Sequence, residues 1–293
     1  MKNKIISIIA CTLVLGISII GCGKQKEEVQ NALKKVKDTS IEKQMNIVGF
    51  NDKDFAIGVG YAGAVVYSED GGDTWIDGNN ESKCRFGLDI INEKVAYSCG
   101  NGSHVRKTID GGKNWTEVAD FGGSKPDHCK YIRFIDEEIG WIASNNKLGF
   151  TKDGAKTWQE IKLPEGISNI IAIDLLSEDE GYVLDDSNNI YLSKDGGTTW
   201  ENKKVDLDNF DNNLGDAPNC AIKFIDNDKG YIYYINKYYT ITGVFTEDGG
   251  KTWSKEKLPS IEGGGYLYIS RDAKYLTVTQ GAGTSFVLLE RSV

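Results

Sequence analysis

Short apolar segments recur along this chain, and an acidic turn separates each segment from the next. An apolar residue precedes the turn, and a small or aromatic residue follows it. Six copies of this pattern are present, at residues 50–56, 90–96, 134–140, 175–181, 224–230 and 269–275. Their first residues are 40, 44, 41, 49 and 45 positions apart. A period of this size indicates a repeat architecture with one structural unit per repeat.

Each repeat divides into four short runs that we interpret as antiparallel strands, lettered A to D in chain order. In the third repeat, strands A to C cover residues 129–135, 140–144 and 148–151, and strand D begins at Thr157. Strand A is the most apolar of the four, so we expect it to be innermost. Four-stranded units repeated radially are propeller blades, and the sequence therefore predicts an all-β, six-bladed β-propeller.

The sixth repeat contains only three strands, near residues 266–270, 275–280 and 285–291. A ring that lacks one strand would expose unpaired strand edges. We therefore expect the segment around residues 40–45 to supply the missing strand D and to close the ring. On this basis the propeller covers residues 41–293.

A tight turn recurs five times between strands C and D, first as Ser68-Glu-Asp70-Gly-Gly72-Asp-Thr74-Trp75. The Asp carboxylate can accept bonds from backbone amides just downstream, and glycine tolerates positive φ. The Trp can fold back as an apolar plug. We expect the Asp and Trp of each copy to be structural; they are Asp70, Trp75, Asp110, Trp115, Asp153, Trp158, Asp195, Trp200, Asp248 and Trp253.

These turns match the Asp box, or BNR repeat, S/T-x-D-x-G-x-T-W, although the second copy has Asn114 in place of Thr. The chain thus resembles the Asp-box β-propellers, which include sialidases, related glycosidases, sortilin-type receptors and photosystem II assembly factors. The resemblance implies that the boxes are structural and lie away from any active site. It also implies that a sialidase would need three arginines around the substrate carboxylate and an Arg-Ile-Pro-type motif. No arginine here precedes Ile-Pro or Leu-Pro, and we expect Arg106 and Arg291 to lie on C strands, outside the channel.

The N-terminus has the pattern of an exported lipoprotein. Lys2 and Lys4 precede an uncharged stretch at residues 5–21, which is typical of a signal peptide and shorter than the roughly 20 residues of a spanning helix. The stretch ends in Gly21-Cys22, which resembles a bacterial lipobox. We expect removal of residues 1–21, a lipid anchor on Cys22, and a helical or disordered tether over residues 22–40. The alternative is an ordinary signal peptide with an incidental cysteine.

Charge excludes two classes of partner. The chain has 34 basic and 43 acidic side chains and a net charge of −9, and loss of Lys2 and Lys4 with the signal makes the charge more negative. Nucleic-acid binding requires a basic footprint, so we expect none. We also do not expect the folded domain to lie flat on anionic lipid. The membrane contact predicted here is the Cys22 anchor, on the outer face of the cytoplasmic membrane.

Cysteine and histidine spacing predicts no metal site and no cofactor. His104 and His128 are the only histidines, and they lie far apart in sequence. An exported location permits disulfides, so Cys84–Cys129 and Cys84–Cys99 are candidate pairs, with buried free thiols as the alternative. The loop at residues 201–219 carries four aspartates, so it is either a Ca²⁺ ligand set or a solvated acidic loop.

Antiparallel strands alternate in direction, so A–B and C–D turns share one face, here named the Asp-box face. The B–C turns and D–A links share the other, named the B–C face. Irregular loops on a rigid scaffold commonly carry binding, and exposed tyrosines beside Asn or Asp can stack on a sugar or a peptide. Ordinary strand aromatics are the alternative interpretation. The candidate binding residues of the B–C face are Tyr61, His104, Asn145, Asp186, Tyr238 and Tyr239.

The sequence therefore predicts a monomeric cell-envelope lipoprotein whose propeller binds an envelope protein or a glycan without catalysis. A glycoside hydrolase is the alternative, because a pair of carboxylates across a cleft is sufficient for that chemistry. A purely structural envelope protein is a third hypothesis. The sequence assigns no catalytic residue.

Overall fold

The computed structural model describes residues 33–79, 82–121, 128–167, 169–208, 210, 219–280 and 283–292. The expected signal peptide, Cys22 and residues 211–218 of the acidic loop lie outside this set. Within it, no helix is long and apolar enough to cross a membrane. The described residues form 24 strands and two short 3₁₀ helices, the latter at Tyr61–Gly63 and Asn101–Ser103.

In chain order the first twelve strands are β1 Leu33–Ser40, β2 Met45–Phe50, β3 Ala56–Gly60, β4 Val65–Ser68, β5 Ile76–Asp77, β6 Arg85–Ile90, β7 Ala96–Gly100, β8 His104–Thr108, β9 Thr116–Asp120, β10 Tyr131–Phe134, β11 Gly140–Ala143 and β12 Leu148–Thr151. The remaining twelve are β13 Gln159–Ile161, β14 Ile170–Leu175, β15 Gly181–Asp185, β16 Asn189–Ser193, β17 Glu201–Lys204, β18 Cys220–Phe224, β19 Gly230–Ile235, β20 Ile241–Thr246, β21 Ser254–Lys255, β22 Gly264–Ile269, β23 Tyr275–Gln280 and β24 Ser285–Arg291.

These strands form six four-stranded antiparallel sheets, which confirms the predicted six-bladed β-propeller. Blades 1 to 5 each use four consecutive strands, beginning with β2–β5 and ending with β18–β21. Blade 6 has the order β22, β23, β24, β1. The A strands contact one another around the ring, and β2 contacts both β6 and β22. The six A strands therefore surround a central channel, as expected from their apolar sequences.

The ring is closed by the N-terminal part of the described chain, but not by the segment predicted from sequence. Strand β1 pairs antiparallel with β24, from Leu33 opposite Arg291 to Ser40 opposite Ser285. The tether predicted over residues 22–40 is thus wrong for residues 33–40, and the propeller starts no later than Leu33 rather than at residue 41. Strand β1 is hard to recognise because it is outermost, and after the buried Leu33 its side chains are partly or fully exposed.

Each Asp box forms the same bonded turn on the Asp-box face, shown here for the first. Asp70 Oδ1 accepts bonds from the Thr74 amide at 2.9 Å and the Ser68 hydroxyl at 2.8 Å. Its Oδ2 accepts the Thr74 hydroxyl at 2.6 Å. Gly71 and Gly72 have φ of 71° and 80°, which glycine adopts without a Cβ clash. The third box adopts the same conformation with Ala155 in the place of the second glycine, at φ 68°.

Box tryptophans fill the seams between blades. Trp75 of blade 1 meets Phe286 of blade 6 edge-on, with ring centroids 5.7 Å apart. Trp200 of blade 4 meets Trp141 of blade 3 at 6.0 Å. Trp115 is 3% exposed and joins the core cluster that includes residues of blade 1. The turn chemistry thus couples a local hairpin to the packing of neighbouring blades.

The boxes also predict how stability depends on pH. Hydrogen bonds from the Thr side chain and from the Thr amide hold the pKa of Asp70, Asp153 and Asp248 at about 2, below the ordinary 3.8. A depressed native pKa stabilises the fold above the unfolded pKa, and this contribution is lost as the pH falls through the native pKa. We therefore expect the free energy of unfolding to fall between about pH 4 and pH 2.

Denaturant titrations at pH 7, 4 and 2 check this expectation. The triple variant Asp70→Asn, Asp153→Asn, Asp248→Asn should be less stable than the wild type at pH 7 and should show a flatter acid limb. Asp54→Asn is the matched control, since Asp54 is exposed and lies outside the boxes. An acid limb of equal slope in the wild type and the triple variant would contradict the assignment.

Candidate functional site

All six candidate binding residues lie in, or directly beside, turns between B and C strands, as expected. They are nevertheless spread over five blades: Tyr61 on blade 1, His104 on blade 2, Asn145 on blade 3, Asp186 on blade 4, and Tyr238 and Tyr239 on blade 5. The structure therefore brings them to one face without joining them into a single patch. Local contacts divide them into three groups.

The blade 5 group is a rigid turn that presents two tyrosines to solvent. Tyr238 and Tyr239 are 66% and 58% exposed. The Asn236 side-chain oxygen accepts the amides of Tyr238 at 2.9 Å and Thr240 at 3.3 Å, and the Asn236 carbonyl accepts the Tyr239 amide at 2.8 Å. Tyr239 has a φ of 58°, which is unusual for a residue with a bulky side chain. Both aromatic rings are thus held outward by their own backbone turn.

The group on blades 1 and 2 joins an exposed tyrosine to a charged cluster. Tyr61 is 59% exposed, and the neighbouring Ala62 amide lies 3.4 Å from the Cys84 sulfur. Lys83, the residue before Cys84, contacts His104 Nε2. A continuous run of contacts therefore connects Tyr61 to His104 across the seam between the two blades.

The group on blades 3 and 4 holds a D–A link in place. The Asn145 carbonyl accepts the Ile170 amide at 2.7 Å, and Asp186 Oδ2 accepts a bond from the Asn169 side chain at 2.7 Å. These contacts fix the link that enters strand β14. Binding by Asn145 and Asp186 stays a prediction, and the structure adds this local positioning role.

The central channel offers little room for a ligand. It is lined by one aliphatic side chain from each A strand, namely Ile47, Leu88, Ile132, Ile173, Ile222 and Leu267. The cavity among them measures about 30 Å³, which is enough for roughly one or two water molecules. A small-molecule site of ordinary size requires about ten times that volume. The channel therefore acts as a packed core.

One arginine closes the channel at the Asp-box face. Arg271 lies in the A–B turn of blade 6, and its guanidinium donates to the Phe134 and Ile135 carbonyls of blade 3, both at 2.6 Å. Blades 6 and 3 are opposite one another in the ring, so the side chain spans the channel mouth. Arg271 also lies 3.3 Å from Asp89, which is 1% exposed. The repeat pattern at residues 269–275 places Arg271 in the acidic turn of the sixth repeat but does not reveal this crossing.

Two buried aspartates connect neighbouring A strands, a feature that the sequence analysis missed. Asp89 of blade 2 accepts the Phe134 amide of blade 3 at 2.7 Å and lies 3.4 Å from Arg133. Asp174 of blade 4 accepts the Phe224 amide of blade 5 at 2.7 Å and pairs with Lys223. The available signal was an aspartate at the fifth position of the A strands β6 and β14, with an apolar residue on each side of it.

The arginines do not form the clamp of a sialidase. Arg106 and Arg291 lie on the C strands β8 and β24, as predicted, and pair with Glu117 and Glu256. Arg85 is 2% exposed, with its guanidinium 5.0 Å above the Trp115 ring. Arg133 and Arg271 meet at Asp89, as described above. Among the described residues, no three arginines converge on an open cavity.

Among the described residues, no two cysteines are joined by a disulfide. The candidate pairs Cys84–Cys129 and Cys84–Cys99 are therefore absent; Cys99, Cys129 and Cys220 are buried and Cys84 is partly exposed. Burial raises the pKa of the Cys99 and Cys220 thiols, so both stay protonated near neutral pH. These two groups are unreactive, structural side chains.

A cluster of metal-ligand type appears where sequence spacing predicted none. His104, Glu117 and Asp120 lie on strands β8 and β9 of blade 2, and their ligand atoms lie within 4.8 Å of one another. The two acidic residues are 13 and 16 positions from the histidine, so the group forms only when the two strands pair. This is the one such cluster within the described residues.

Sequence comparison identifies a partial family match. The model of the family described as "Photosynthesis system II assembly factor YCF48" matches residues 150–261, from strand β12 to the link before blade 6. No curated protein matches the sequence. The match covers the third, fourth and fifth Asp boxes.

Solved structures with the same fold cover most of the chain. The structure titled "YCF48 bound to D1 peptide" has 14% identity and a TM-score of 0.55, and the alignment covers 88% of this chain and 95% of that one. For "YCF48 from Cyanidioschyzon merolae" the values are 17%, 0.56, 89% and 98%. The WD40 propeller domain of Doa1 is similar at 10% identity and a TM-score of 0.53, over 89% of this chain and 98% of that one. The chain therefore has a BNR-type β-propeller fold like that of photosystem II assembly factors.

Proposed function

We propose that this chain is a non-enzymatic binding module that holds a segment of another envelope protein on its B–C face. The observation that carries the proposal is the position of its exposed aromatics. Tyr61, Tyr238 and Tyr239 are the large aromatic side chains exposed among the described residues, and all three lie on this face. The exposed large aliphatic residues, such as Ile109 and Ile225, lie elsewhere.

Tyrosine suits this role because it contributes apolar area and a hydroxyl at low conformational cost, and it is enriched at protein interfaces. The Asn236 turn fixes the backbone of Tyr238 and Tyr239 before a partner arrives, which lowers the entropy lost on binding. The nearly filled channel favours a surface-bound macromolecule over an enclosed small molecule. A similar propeller is titled as bound to a D1 peptide, which supports a peptide segment as the ligand class.

The tyrosine pair gives the first test of this function. Peptides selected from a display library on the wild-type protein should bind the variant Tyr238→Ala, Tyr239→Asn at least about tenfold more weakly, since truncating a buried interface tyrosine commonly costs more than 1 kcal/mol. Asn at position 239 preserves the tolerance for positive φ. Titration calorimetry measures the affinities.

The matched control is Ile109→Ala, which changes an exposed residue, 70% accessible, on the opposite face. It should bind the selected peptides as the wild type does. Equal affinity for the wild type and the tyrosine variant would contradict the assignment of the B–C face. Selective binding of a polysaccharide, with no peptide selected, would instead favour the glycan hypothesis.

We also propose that the module is exported and anchored through Cys22 on the outer face of the cytoplasmic membrane. The support is the basic start, the uncharged stretch of residues 5–21 and the Gly21-Cys22 junction. Cell fractionation of Cys22→Ser tests the anchor: the variant should leave the membrane fraction, because the acyl chains supply about 0.8 kcal/mol per buried CH₂. Retention of the variant in the membrane fraction would contradict lipid anchoring at Cys22.

A further inference from the structure

The outer half of blade 2 contains a β-bulge that collects ligand-type side chains. Strands β8 and β9 pair His104 with Asp120 and Arg106 with Glu117, and the register shifts between Val105 and Arg106. Residues three apart on a regular strand point to opposite faces. The extra residue of the bulge changes that alternation, so Glu117 and Asp120 both reach the side of His104.

The distances within this cluster suit a shared cation. His104 Nδ1 lies 2.9 Å from Glu117 Oε1 and 2.6 Å from Asp120 Oδ1. The side chains of His104, Glu117 and Asp120 are 20%, 41% and 54% exposed, so an ion can enter from solvent. One ring nitrogen and two carboxylates thus surround a single point at the surface.

We propose that His104, Glu117 and Asp120 bind one divalent metal ion of the zinc class. Tetrahedral zinc with nitrogen and oxygen ligands at about 2.0–2.2 Å places its ligand atoms roughly 3.3–3.5 Å apart. The distances from His104 Nδ1 therefore need to lengthen by about 0.5 Å for Glu117 and by about 0.8 Å for Asp120, which side chains of this exposure can do. An imidazole ligand favours zinc over Ca²⁺ or Mg²⁺, which prefer oxygen alone. The fourth position stays open to water.

Arg106 fixes one of the ligands from behind. Its side chain is 5% exposed, and Nη2 lies 2.9 Å from Glu117 Oε2. This contact leaves Oε1 facing His104, in the manner of outer-shell groups that orient metal ligands. The bulge and Arg106 together therefore preorganise Glu117, and only Asp120 and the ring have to adjust.

Lys83 opposes metal binding and so provides a sharp test. Its ammonium contacts His104 Nε2. A neutral ring that binds a metal through Nδ1 carries its proton on Nε2, where it faces the ammonium donor. Lys83 must therefore move away before the ion binds, and its positive charge repels the ion at any distance. Removal of this charge should strengthen binding, whereas a purely structural lysine would have no such effect.

Zinc titration of the purified whole chain, after treatment with a chelator, tests the site. Calorimetry should give one zinc per chain, and Co²⁺ should give a ligand-field spectrum in the visible range. His104→Ala and Asp120→Asn should each weaken zinc binding by about 100-fold or more, because the first removes a ligand and the second replaces an anionic ligand with a neutral amide. Lys83→Met should strengthen it about tenfold.

The proposed metal site does not depend on the proposed protein partner. Two control variants test whether zinc binding is specific to His104, Glu117 and Asp120. His128→Ala removes the other histidine, and Cys84→Ser removes the thiol next to Lys83; both variants should bind zinc as the wild type does. Asp120→Asn is isosteric and half exposed, so circular dichroism should show an unchanged fold. Absence of zinc binding by the wild type, or binding that survives both His104→Ala and Asp120→Asn, would overturn the proposal.

Discussion

Deletion of residues 1–40 should lower the melting temperature by about 10 °C or more, because it removes the strand that closes the ring. Strand β1 pairs with β24 over its whole length and contributes the buried Leu33 to the core cluster of blades 5 and 6. Without it, β24 becomes an exposed edge with unpaired backbone groups. Each lost backbone hydrogen bond costs roughly 0.5–1.5 kcal/mol, so the deletion should lower the free energy of unfolding by several kcal/mol.

Deletion of residues 1–32 is the matched control, since it leaves the β1–β24 pair intact. Its melting temperature should equal that of the chain with residues 1–40 present. A synthetic peptide of residues 33–40 should restore part of the stability when it is added to the longer deletion, by strand addition to the free edge. Equal melting temperatures for the two deletions would refute closure by β1.

Substitution of Asp89 by Ala should destabilise the fold by about 3–5 kcal/mol, since it leaves buried groups without their partner. Asp89 is 1% exposed and lies among the Phe134 amide and the guanidinium groups of Arg133 and Arg271. The variant therefore loses a contact between blades 2 and 3 and one anchor of the arginine that closes the channel. Denaturant unfolding at pH 7 measures the loss.

Asp89→Asn separates the charge from the hydrogen bond. Asn keeps an acceptor for the Phe134 amide, so the decrease in the free energy of unfolding should be smaller than in Asp89→Ala. Asp54→Ala, at an exposed pair with Lys53, should change stability by no more than about 0.5 kcal/mol. If Asp89→Ala is as stable as Asp54→Ala, the buried aspartate does not hold the blades together.

The architecture was predictable because its signals are local. The Asp-box turns are specified within eight residues, as from Ser68 to Trp75, and the A strands are marked by apolar runs such as Ile170 to Ile173. The six acidic turns that follow the A strands fix the blade count, and together with the Asp-box turns they fix the chain order of strands and the face on which each turn lies. The position of the exposed tyrosines on the B–C face followed from the same alternation of strand direction.

The features that sequence reasoning missed depend on contacts between distant residues. Strand β1 was not predicted because an outermost strand buries few side chains, so Lys34 and Lys35 give no apolar alternation. The cluster of His104, Glu117 and Asp120 was not predicted because it forms only through strand pairing and a one-residue bulge. The contact of Arg271 across the channel was not predicted because its carbonyl partners lie in the opposite blade, more than 130 residues away. Such contacts are set by tertiary geometry, which spacing along one chain does not encode.

Site-specific photo-crosslinking in native membranes tests the central claim most directly. A photoreactive phenylalanine analogue at Tyr238 should give one dominant protein adduct, whereas the same group at Ile109 on the opposite face should give none. That result would establish a protein partner and locate it on the B–C face. Adducts formed from position 109 and not from position 238, or no protein adduct from either, would contradict the account.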